Sequence, residues 1–264
     1  MTPHYAHAFN DIRDGIGDWR MWGRLGWAEV RRRYRRTVIG PFWASLSLAI
    51  FVVAIGVVWA GLWKLSVREY LPFLCAGLLA WTLVSVIITE SCASFTAQEG
   101  LIRSMRVSYT LLTCSVVWRN LIVFIHNLVV FVVVALATGV PVNAATLLVV
   151  PGLVLVGING IWIGLLLGMI CARYRDIQQL ITGLLQIAML VTPIFWTPSQ
   201  IPGRYAYFVD ANVLFHFVDI VRGPLLGQTP AALSYIVVVG LALVGYAVTF
   251  DLFSRFRRRL PYWL

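Results

Sequence analysis

The longest uncharged stretch of this sequence, from Asn120 to Ala172, most constrains what the chain can fold into. A hydrocarbon core of about 30 Å is crossed by roughly 20 apolar helical residues, because a helix satisfies its own backbone polar groups. The stretch is long enough for two crossings, and Gly139–Asn143 supplies a turn between them. Overall, 60% of residues are hydrophobic and 12% charged, which a water-soluble domain could not keep covered. The sequence therefore predicts an integral membrane protein.

Further apolar segments bring the predicted number of membrane helices to six. The candidates lie between Arg36 and Lys64, at Tyr70–Thr89, on either side of Gly139–Asn143, at Ile177–Trp196 and at Ala231–Phe250. The segment Arg204–Arg222 contains two aspartates and is marginal as a crossing, so re-entrant or interfacial helices are expected there. The predicted fold is all-α, with a leader (1–36) that carries an amphipathic interface helix, a six-helix transmembrane domain (37–254) and a basic tail (255–264).

The positions of the cationic residues predict the orientation. Seventeen of the 21 lysine and arginine residues lie on one side of the predicted helices, and the others are Lys64, Arg68, Arg204 and Arg222. The positive-inside rule then places both termini in the cytoplasm, which agrees with six spans. The formal charge of +10 is explained by this topology and by anionic lipid headgroups, so no nucleic-acid partner is expected.

The leader shows helical amphipathicity. Trp19, Trp22, Trp27, Val30 and Tyr34 fall on one arc at about 100° per residue, whereas Arg20, Arg24, Arg31 and Arg35 fall on another. This pattern favours a helix in the membrane interface, with a simple stop-transfer anchor as the alternative. The leader carries no signal-peptide pattern, so the first span is expected to direct insertion.

Several enzyme classes lack their residues in this chain. The only lysine, Lys64, follows Trp63, so a phosphate-binding G-x-x-x-x-G-K-[ST] loop cannot form. The cysteines are scattered, and the histidines show no zinc-binding spacing. Metal sites, catalytic residues and cofactors are therefore not expected in this chain.

Three ionisable residues near or within the predicted spans need an explanation, because such groups are often functional. Glu90, His126 and Asp251 could form a proton relay, although Glu90 and Asp251 lie close to the cytoplasmic ends. The favoured interpretation is that His126 and Asn127 form hydrogen bonds to a neighbouring helix.

Two short basic connections lie on the predicted cytoplasmic side. Gln98–Val117 is too short and polar to span the bilayer, and the turn Arg173–Asp176 is tight and charged. Both could dock a soluble partner, although each could also be an ordinary solvated loop. The residues concerned are Glu99, Arg103, Arg106, Arg173, Arg175 and Asp176.

Longer motifs follow one another along the chain. They are RRYRRTVIGPFW at 32–43, VVWRNLIVFIHNLVV at Val116–Val130, RYRDIQQLITGLLQ at Arg173–Gln186 and TPIFWTPSQIP at Thr192–Pro202. In this order they resemble the membrane-spanning subunits of ATP-binding-cassette polysaccharide exporters, which serve O-antigen, capsule and teichoic-acid export. The segment Asn212–Gly227 is similar to the family's N-P-L-x-H-x-x-E-x-x-R region, with Val213 in place of proline and Asp219 in place of glutamate.

The resemblance implies a homodimer of this subunit in the inner membrane, joined to two copies of an ATPase that binds ATP and magnesium. It also implies export of a lipid-linked polysaccharide, O-antigen-like glycan above all, along a path lined mainly by the first and fifth spans. The two basic connections would then couple the ATPase to the membrane helices.

Aromatic side chains are the candidate path residues, because sugar faces stack on aromatic rings. Those near the fifth span are Phe195, Trp196, Tyr205, Tyr207, Phe208, Phe215 and Phe217, and those on the first span are Phe42, Trp43 and Trp59. The alternative is an ordinary aromatic belt at the membrane surface.

The arginine-rich motif is the candidate contact for a phosphate-containing headgroup, because guanidinium groups match phosphate oxygens. It comprises Arg31, Arg32, Arg33, Tyr34, Arg35 and Arg36, and the nearby Trp19, Trp22 and Trp27 are expected at the interface. Anchoring to anionic lipid is the alternative.

Two other functions remain open. A drug or small-lipid exporter of the same superfamily would share the topology but would not require the aromatic segment. A membrane-embedded glycosyltransferase would need clustered carboxylates near the interface, whereas Asp11, Asp14 and Asp18 lie on the polar leader.

Overall fold

The computed structural model describes residues 3–35, 40, 42–200, 202–203 and 206–264, and two predicted site residues, Arg36 and Tyr205, lie outside them. The regular structure of the described residues is helical. The α-helices are α1 (Pro3–Gly17), α2 (Trp19–Tyr34), α3 (Phe42–Leu62), α4 (Val67–Cys92), α5 (Glu99–Ser104), α6 (Tyr109–Thr138), α7 (Val149–Arg173), α8 (Ile177–Val191), α9 (Ala206–Asp210), α10 (Val213–Leu225), α11 (Ala232–Phe256) and α12 (Leu260–Trp263).

Five helical segments of the described residues are long and apolar enough to cross a bilayer. They are Phe42–Leu62, Val67–Cys92, Tyr109–Thr138, Ala144–Arg173 and Ala232–Trp263. Helix α8 is also apolar but has 15 residues, about 22 Å at 1.5 Å per residue. The all-α class and the multi-pass membrane character predicted from the sequence are confirmed.

Helix α4 lies at the centre of the bundle and packs against α3, α6, α7 and α10. In its most apolar window 67% of residues are buried inside the chain, against 22% for α3. Helix α3 therefore directs most of its apolar side chains outward, among them Ile50, Val53 and Val57. Such a surface is stable against lipid or against another apolar protein surface.

The helix termini gather at two ends of the bundle. The leader end comprises α1, α2 and residues 93–108, 174–176 and 257–264, and the loop end comprises residues 63–66, 139–148 and 192–231. At the leader end, the Asp11 carboxylate accepts a hydrogen bond from Arg257 Nε at 2.9 Å. At the loop end, Asn143 Nδ2 donates to the Gly227 carbonyl at 2.8 Å.

Helix α6 shows how side chains from distant segments fix a helix at each end. Asp11, which is 3% exposed, accepts from the backbone amides of Tyr109 and Thr110 at the N-terminus. At the other terminus the chain turns at Gly139, whose φ is 77°, and Arg68 Nε donates to the Thr138 carbonyl at 2.8 Å. An anion at the N-terminus and a cation at the C-terminus both favour the helix dipole.

The start of α6 corrects one predicted boundary. The helix begins at Tyr109, so Val117 belongs to it and the connection after α4 is confined to residues 93–108. The sequence placed the span after Arg119 because arginine is costly in a membrane helix. That cost is reduced in the structure because Arg119 forms ion pairs with Glu29 and Glu90.

The two chain termini also differ from a simple leader and tail. The leader forms two helices, α1 and α2, which meet at Asp18, and both pack against α6. Helix α11 continues to Phe256, and the residues after it fold back so that Leu260 and Leu264 are buried. The predicted basic tail is therefore part of the folded leader end.

Candidate functional site

An aromatic cavity of about 700 Å³ opens between α3 and the segment that follows α8. It is lined by Phe51, Ile55, Trp59, Trp63, Leu190, Phe195, Trp196 and Gln200, and we call it the aromatic cavity. Among the residues that the structure describes, its walls carry no charged side chain, and Gln200 supplies the one side-chain amide. A groove of this composition suits ligands with both apolar faces and hydroxyl groups.

The rings of the aromatic cavity pack against one another. Trp63 directly follows α3 and lies one helical turn after Trp59, with ring centroids 4.6 Å apart in an edge-on arrangement. Trp59 also stacks on Phe195 at 6.2 Å. Tyr70 Oη donates to the Phe195 carbonyl at 2.5 Å, and Trp196 Nε1 donates to the Leu190 carbonyl at 3.1 Å. Hydrogen bonds from α4 and within the segment thus hold irregular backbone in place beside α3.

The structure brings some of the predicted path residues together and separates others. Trp59, Phe195 and Trp196 share the aromatic cavity. Phe42 and Trp43 begin α3 at the far end from it, and Phe42 meets the edge of His126. The remaining described residues lie elsewhere at the loop end: Tyr207 stacks on Phe208 in the open, Phe215 lines a second cavity, and Phe217 is buried in the core.

Sequence reasoning missed five residues of the aromatic cavity, which are Phe51, Ile55, Trp63, Leu190 and Gln200. Phe51 and Ile55 lie on α3, Trp63 directly follows it, Leu190 lies on α8 and Gln200 follows α8. The signal for Trp63 was present, because it lies four residues after Trp59 and therefore on the same helix face. Gln200 had no such signal, since its position depends on the path of the chain after α8.

A second cavity, of about 760 Å³, also lies at the loop end, and we call it the polar cavity. It is enclosed by the start of α4, the turn after α6, and α10. Charged side chains line it, including Arg68, Glu69, Asp219 and Arg222. Burial lowers the pKa of the Arg222 guanidinium to about 10, which leaves it protonated at neutral pH.

The leader end is held by a network of charges. The Glu90 carboxylate at the end of α4 accepts from Arg33 Nη2 at 2.5 Å, from Arg119 Nη2 at 2.7 Å and from Asn120 Nδ2 at 2.8 Å. Arg119 also pairs with Glu29 on α2. The leader is therefore fastened to α4 and α6 by a chain of carboxylates and guanidinium groups.

The predicted headgroup residues divide into two sets. Arg31, Arg32 and Arg35 are exposed on α2 or just after it. Arg33 and Tyr34 instead line a groove of about 280 Å³ between α3, α4 and α6, together with Thr82, Asn120 and Asn127, and we call it the leader groove.

The tryptophans of α2 also divide. Trp22 packs edge-on against Trp118 of α6 at 5.8 Å, and Gly26 and Val30 are buried on the same side. Trp19 and Trp27 are exposed. The apolar arc predicted from the sequence thus contains both a surface that contacts α6 and rings that face outward.

The three ionisable residues weighed as a relay have separate partners. Glu90 belongs to the leader-end network, while Asp251 accepts from Tyr5 Oη and from Arg255. His126 Nδ1 faces the Ile122 carbonyl at 2.7 Å within its own helix. The hydrogen bond to a neighbouring helix is made by Asn127, whose Oδ1 accepts from Ser45 Oγ of α3 at 3.0 Å.

The predicted coupling residues lie at the leader end, where all are exposed except Glu99, which is half-buried. Arg103 pairs with Glu99 along α5 at 2.8 Å, and Arg106 follows that helix. The other three, Arg173, Arg175 and Asp176, lie at the exposed turn between α7 and α8. The Arg173 guanidinium lies 5.3 Å from the ring centroid of Trp263, so α12 borders this surface.

In the part of the chain that the structure describes, no group of three or more His, Cys, Asp or Glu side chains is arranged to hold a metal ion. Each of the four cysteines is buried and free. Of two further cavities, one is lined mainly by apolar side chains of α6 and α7, and the other by tryptophans together with Arg20 and Arg24. The long apolar helices make a multi-pass membrane protein the class that this fold defines.

Comparison with known proteins gives the family. The family described as ABC-2 type transporter matches residues 21–226, and the chain belongs to that family. A protein of Klebsiella pneumoniae named O-antigen export system permease protein RfbA is 20% identical over 234 residues, which cover 86% of this chain and 90% of the relative. A protein of the same name from Myxococcus xanthus is 24% identical over 179 residues, covering 67% and 68%.

Proposed function

We propose that this subunit exports a lipid-linked polysaccharide, O-antigen-like glycan above all, across the inner membrane. The relatives' names support this substrate class. The main supporting observation is the aromatic cavity, where Trp59, Phe195 and Trp196 meet and the described wall residues carry no charge. Aromatic faces stack against sugars, and the absence of fixed charge lets a polymer move past without a strong local trap.

The energy would come from a partner, since the ABC-2 family implies an ATPase of the same transporter class. We propose two ATPase subunits that bind ATP and magnesium, docked at residues 93–108 and 174–176. Exposed Arg103, Arg106, Arg173 and Arg175 at these connections favour an acidic surface on that partner.

The orientation proposed places the leader end in the cytoplasm and the loop end outside. Asp11 bonds to Arg257 and Tyr5 to Asp251, so both chain termini lie at one end. This supports an even number of crossings, with α8 as the fifth and residues 192–200 completing its path. The cationic residues of the leader end agree with that orientation.

A homodimer is proposed because the aromatic cavity of one copy is open to its surroundings. Exposed apolar residues continue along α3 at Ile50, Val53 and Val57, and along α8 at Leu184 and Ile187. A second copy that covered these faces would turn the open cavity into an enclosed path. In a two-fold dimer the same surface of each copy meets its counterpart, so the exposed faces of α3 and α8 in one copy would pack against those of the other.

The leader groove is the proposed site for the lipid-linked headgroup. Arg33 and Tyr34 line this groove, and Asn120 and Asn127 contribute side-chain amides. A phosphate or pyrophosphate would receive hydrogen bonds from arginine there, beside the exposed Arg31, Arg32 and Arg35.

The test is deletion of the gene, with lipid-linked glycan inside the cell and glycan at the surface measured together. Internal accumulation with surface loss, restored by the intact chain, is the expected result. Unchanged surface glycan would contradict the proposal and favour a drug or small-lipid exporter. Loss at both locations would favour a synthetic role.

A further inference from the structure

The polar cavity and the aromatic cavity both lie at the loop end but differ in the residues that line them. The segment after α8 contributes to each: Trp196 and Gln200 line the aromatic cavity, and Pro198 lines the polar one. At about 760 Å³ the polar cavity is large enough for a ligand of several rings. Two of its charged residues, Asp219 and Arg222, stand at the charged positions of the family-like segment Asn212–Gly227, and the proposed export path assigns them no role.

Arg222 is the most informative group of this cavity. It is 4% exposed, and its guanidinium lies 4.4 Å from the ring centroid of Phe73. Nη1 donates to the Pro193 carbonyl at 2.5 Å. No described residue accepts a hydrogen bond from Nε or Nη2. A buried guanidinium with unused donors is costly unless a ligand or water accepts from it.

Asp219 provides acceptors one helical turn before Arg222. Its Oδ2 accepts from Ser234 Oγ at 2.7 Å and from the Ala231 amide at 3.3 Å. Within the described residues, Oδ1 accepts no hydrogen bond. The Ser234 side chain also meets His216 Nδ1 at 3.0 Å, so this carboxylate is fixed by the contact between α10 and α11.

The charged side chains that line the polar cavity favour some classes of ligand over others. Two arginines, Arg68 and Arg222, face two carboxylates, Glu69 and Asp219, so an anion gains no net attraction. An apolar drug would leave the buried guanidinium unpaired. Neighbouring hydroxyls, which both donate and accept, match a fixed guanidinium beside a fixed carboxylate. The Phe215 ring, whose centroid lies 5.8 Å from the Arg222 guanidinium, adds an aromatic surface to the same cavity.

We propose that the polar cavity binds one or a few sugar units of the glycan at the outer face of the membrane. This proposal rests on the proposed function, since it needs a saccharide at the loop end. Arg222 would donate to hydroxyls from Nε or Nη2, Asp219 would accept at Oδ1, and Phe215 would face the ring. Because Arg222 also donates to the Pro193 carbonyl, a sugar bound to Arg222 would affect the segment that lines the aromatic cavity.

Thiol protection tests the proposal in the assembled transporter. Gln228 is an exposed residue of the polar cavity, and all four natural cysteines are buried. The Gln228→Cys variant is labelled with a membrane-impermeant methanethiosulfonate in right-side-out vesicles. Vesicles from cells that synthesise the glycan are compared with vesicles from cells that lack the first step of its synthesis. Val142→Cys is the control, because Val142 is 84% exposed at the loop end outside both cavities.

The expected result is a labelling rate at Gln228→Cys about fivefold lower when glycan is present, with Val142→Cys unchanged. Asp219→Asn, which keeps an oxygen for Ser234 but loses the charge, should remove the protection. Equal labelling of Gln228→Cys with and without glycan would overturn the proposal, as would equal protection of both cysteines. Surface glycan measured in the same cells separates this outcome from failure of the export function itself.

Discussion

The two ends of the bundle are stabilised by different chemistry. At the leader end, charged side chains from distant segments pair with one another, as Glu29, Glu90 and Arg119 do. At the loop end, single side chains donate to backbone carbonyls of irregular segments, as Tyr70 does to Phe195 and Arg222 to Pro193. Removal of one partner in a charge network leaves another charge buried without its counter-ion, which costs more than the loss of a single hydrogen bond to a carbonyl. The leader end is thus suited to transmit force and the loop end to local rearrangement.

The largest effect is expected where the leader-end network is broken at its centre. Arg119→Ala leaves Glu29 and Glu90 without their shared cation, because the Arg119 side chain is only 12% exposed. We expect the free energy of unfolding in detergent to fall by about 3 kcal/mol. Arg33→Ala is the matched control, since the Arg33 side chain is 46% exposed and its loss should cost at most about 1 kcal/mol. Equal losses would refute the central role of Arg119.

The next effect concerns packing that supports the loop end. A Cβ on Gly152 of α7 would collide with the Ile220 carbonyl of α10, whereas one on Gly240 of α11 would meet nothing within 4 Å. Gly152→Ala should therefore lower the unfolding free energy by about 2 kcal/mol, through separation of α7 from α10. Gly240→Ala should instead raise it by about 0.5–1 kcal/mol, because alanine is the better helix former and meets no neighbour there. Equal unfolding midpoints for the Gly152→Ala and Gly240→Ala variants would show that α10 can shift away from α7 without loss of stability.

Sequence patterns predicted the class of the fold because hydrophobic length is a local property. The same reasoning placed the third span after Arg119, since it counted that charge as unpaired. Asp11 was assigned to a polar leader, yet it is buried and caps α6. Both differences arise from contacts between residues far apart in the chain, with 99 positions separating Asp11 from Thr110.

The candidate site shows the same division. Trp59 and Phe195 were predicted as path residues, since the first and fifth membrane helices were expected to line the path. In the structure both residues line the aromatic cavity. The sequence could not place Phe217, which faces the core, or Phe215, which faces the polar cavity. These two residues lie on one short helix, and only the packing of α10 decides which side is buried.

A smaller effect is expected from the aromatic cavity. Trp59→Leu keeps an apolar side chain but removes the face that stacks on Phe195. We expect glycan export to fall about fivefold, equivalent to roughly 1 kcal/mol per aromatic contact, with little change in stability. Trp19→Leu is the control at the leader end, because Trp19 is 62% exposed. An equal fall in export for both variants would assign the tryptophans a general membrane-interface role.

The smallest effect, and the one that tests the leader end as a docking surface, concerns α5. Arg103→Glu removes the pair with Glu99 and reverses a charge that would face the ATPase. The double change Glu99→Arg with Arg103→Glu restores the pair along the helix, worth about 0.4 kcal/mol, but moves the cation by one turn. If docking depends on the position of that charge, both variants should raise ATP hydrolysed per glycan exported by about twofold. Arg255→Glu is the matched control, since Arg255 forms the same kind of exposed pair with Asp251 outside the connections. Recovery in the double variant would show that the pair only stabilises α5, and the docking surface would then have to lie at Arg173.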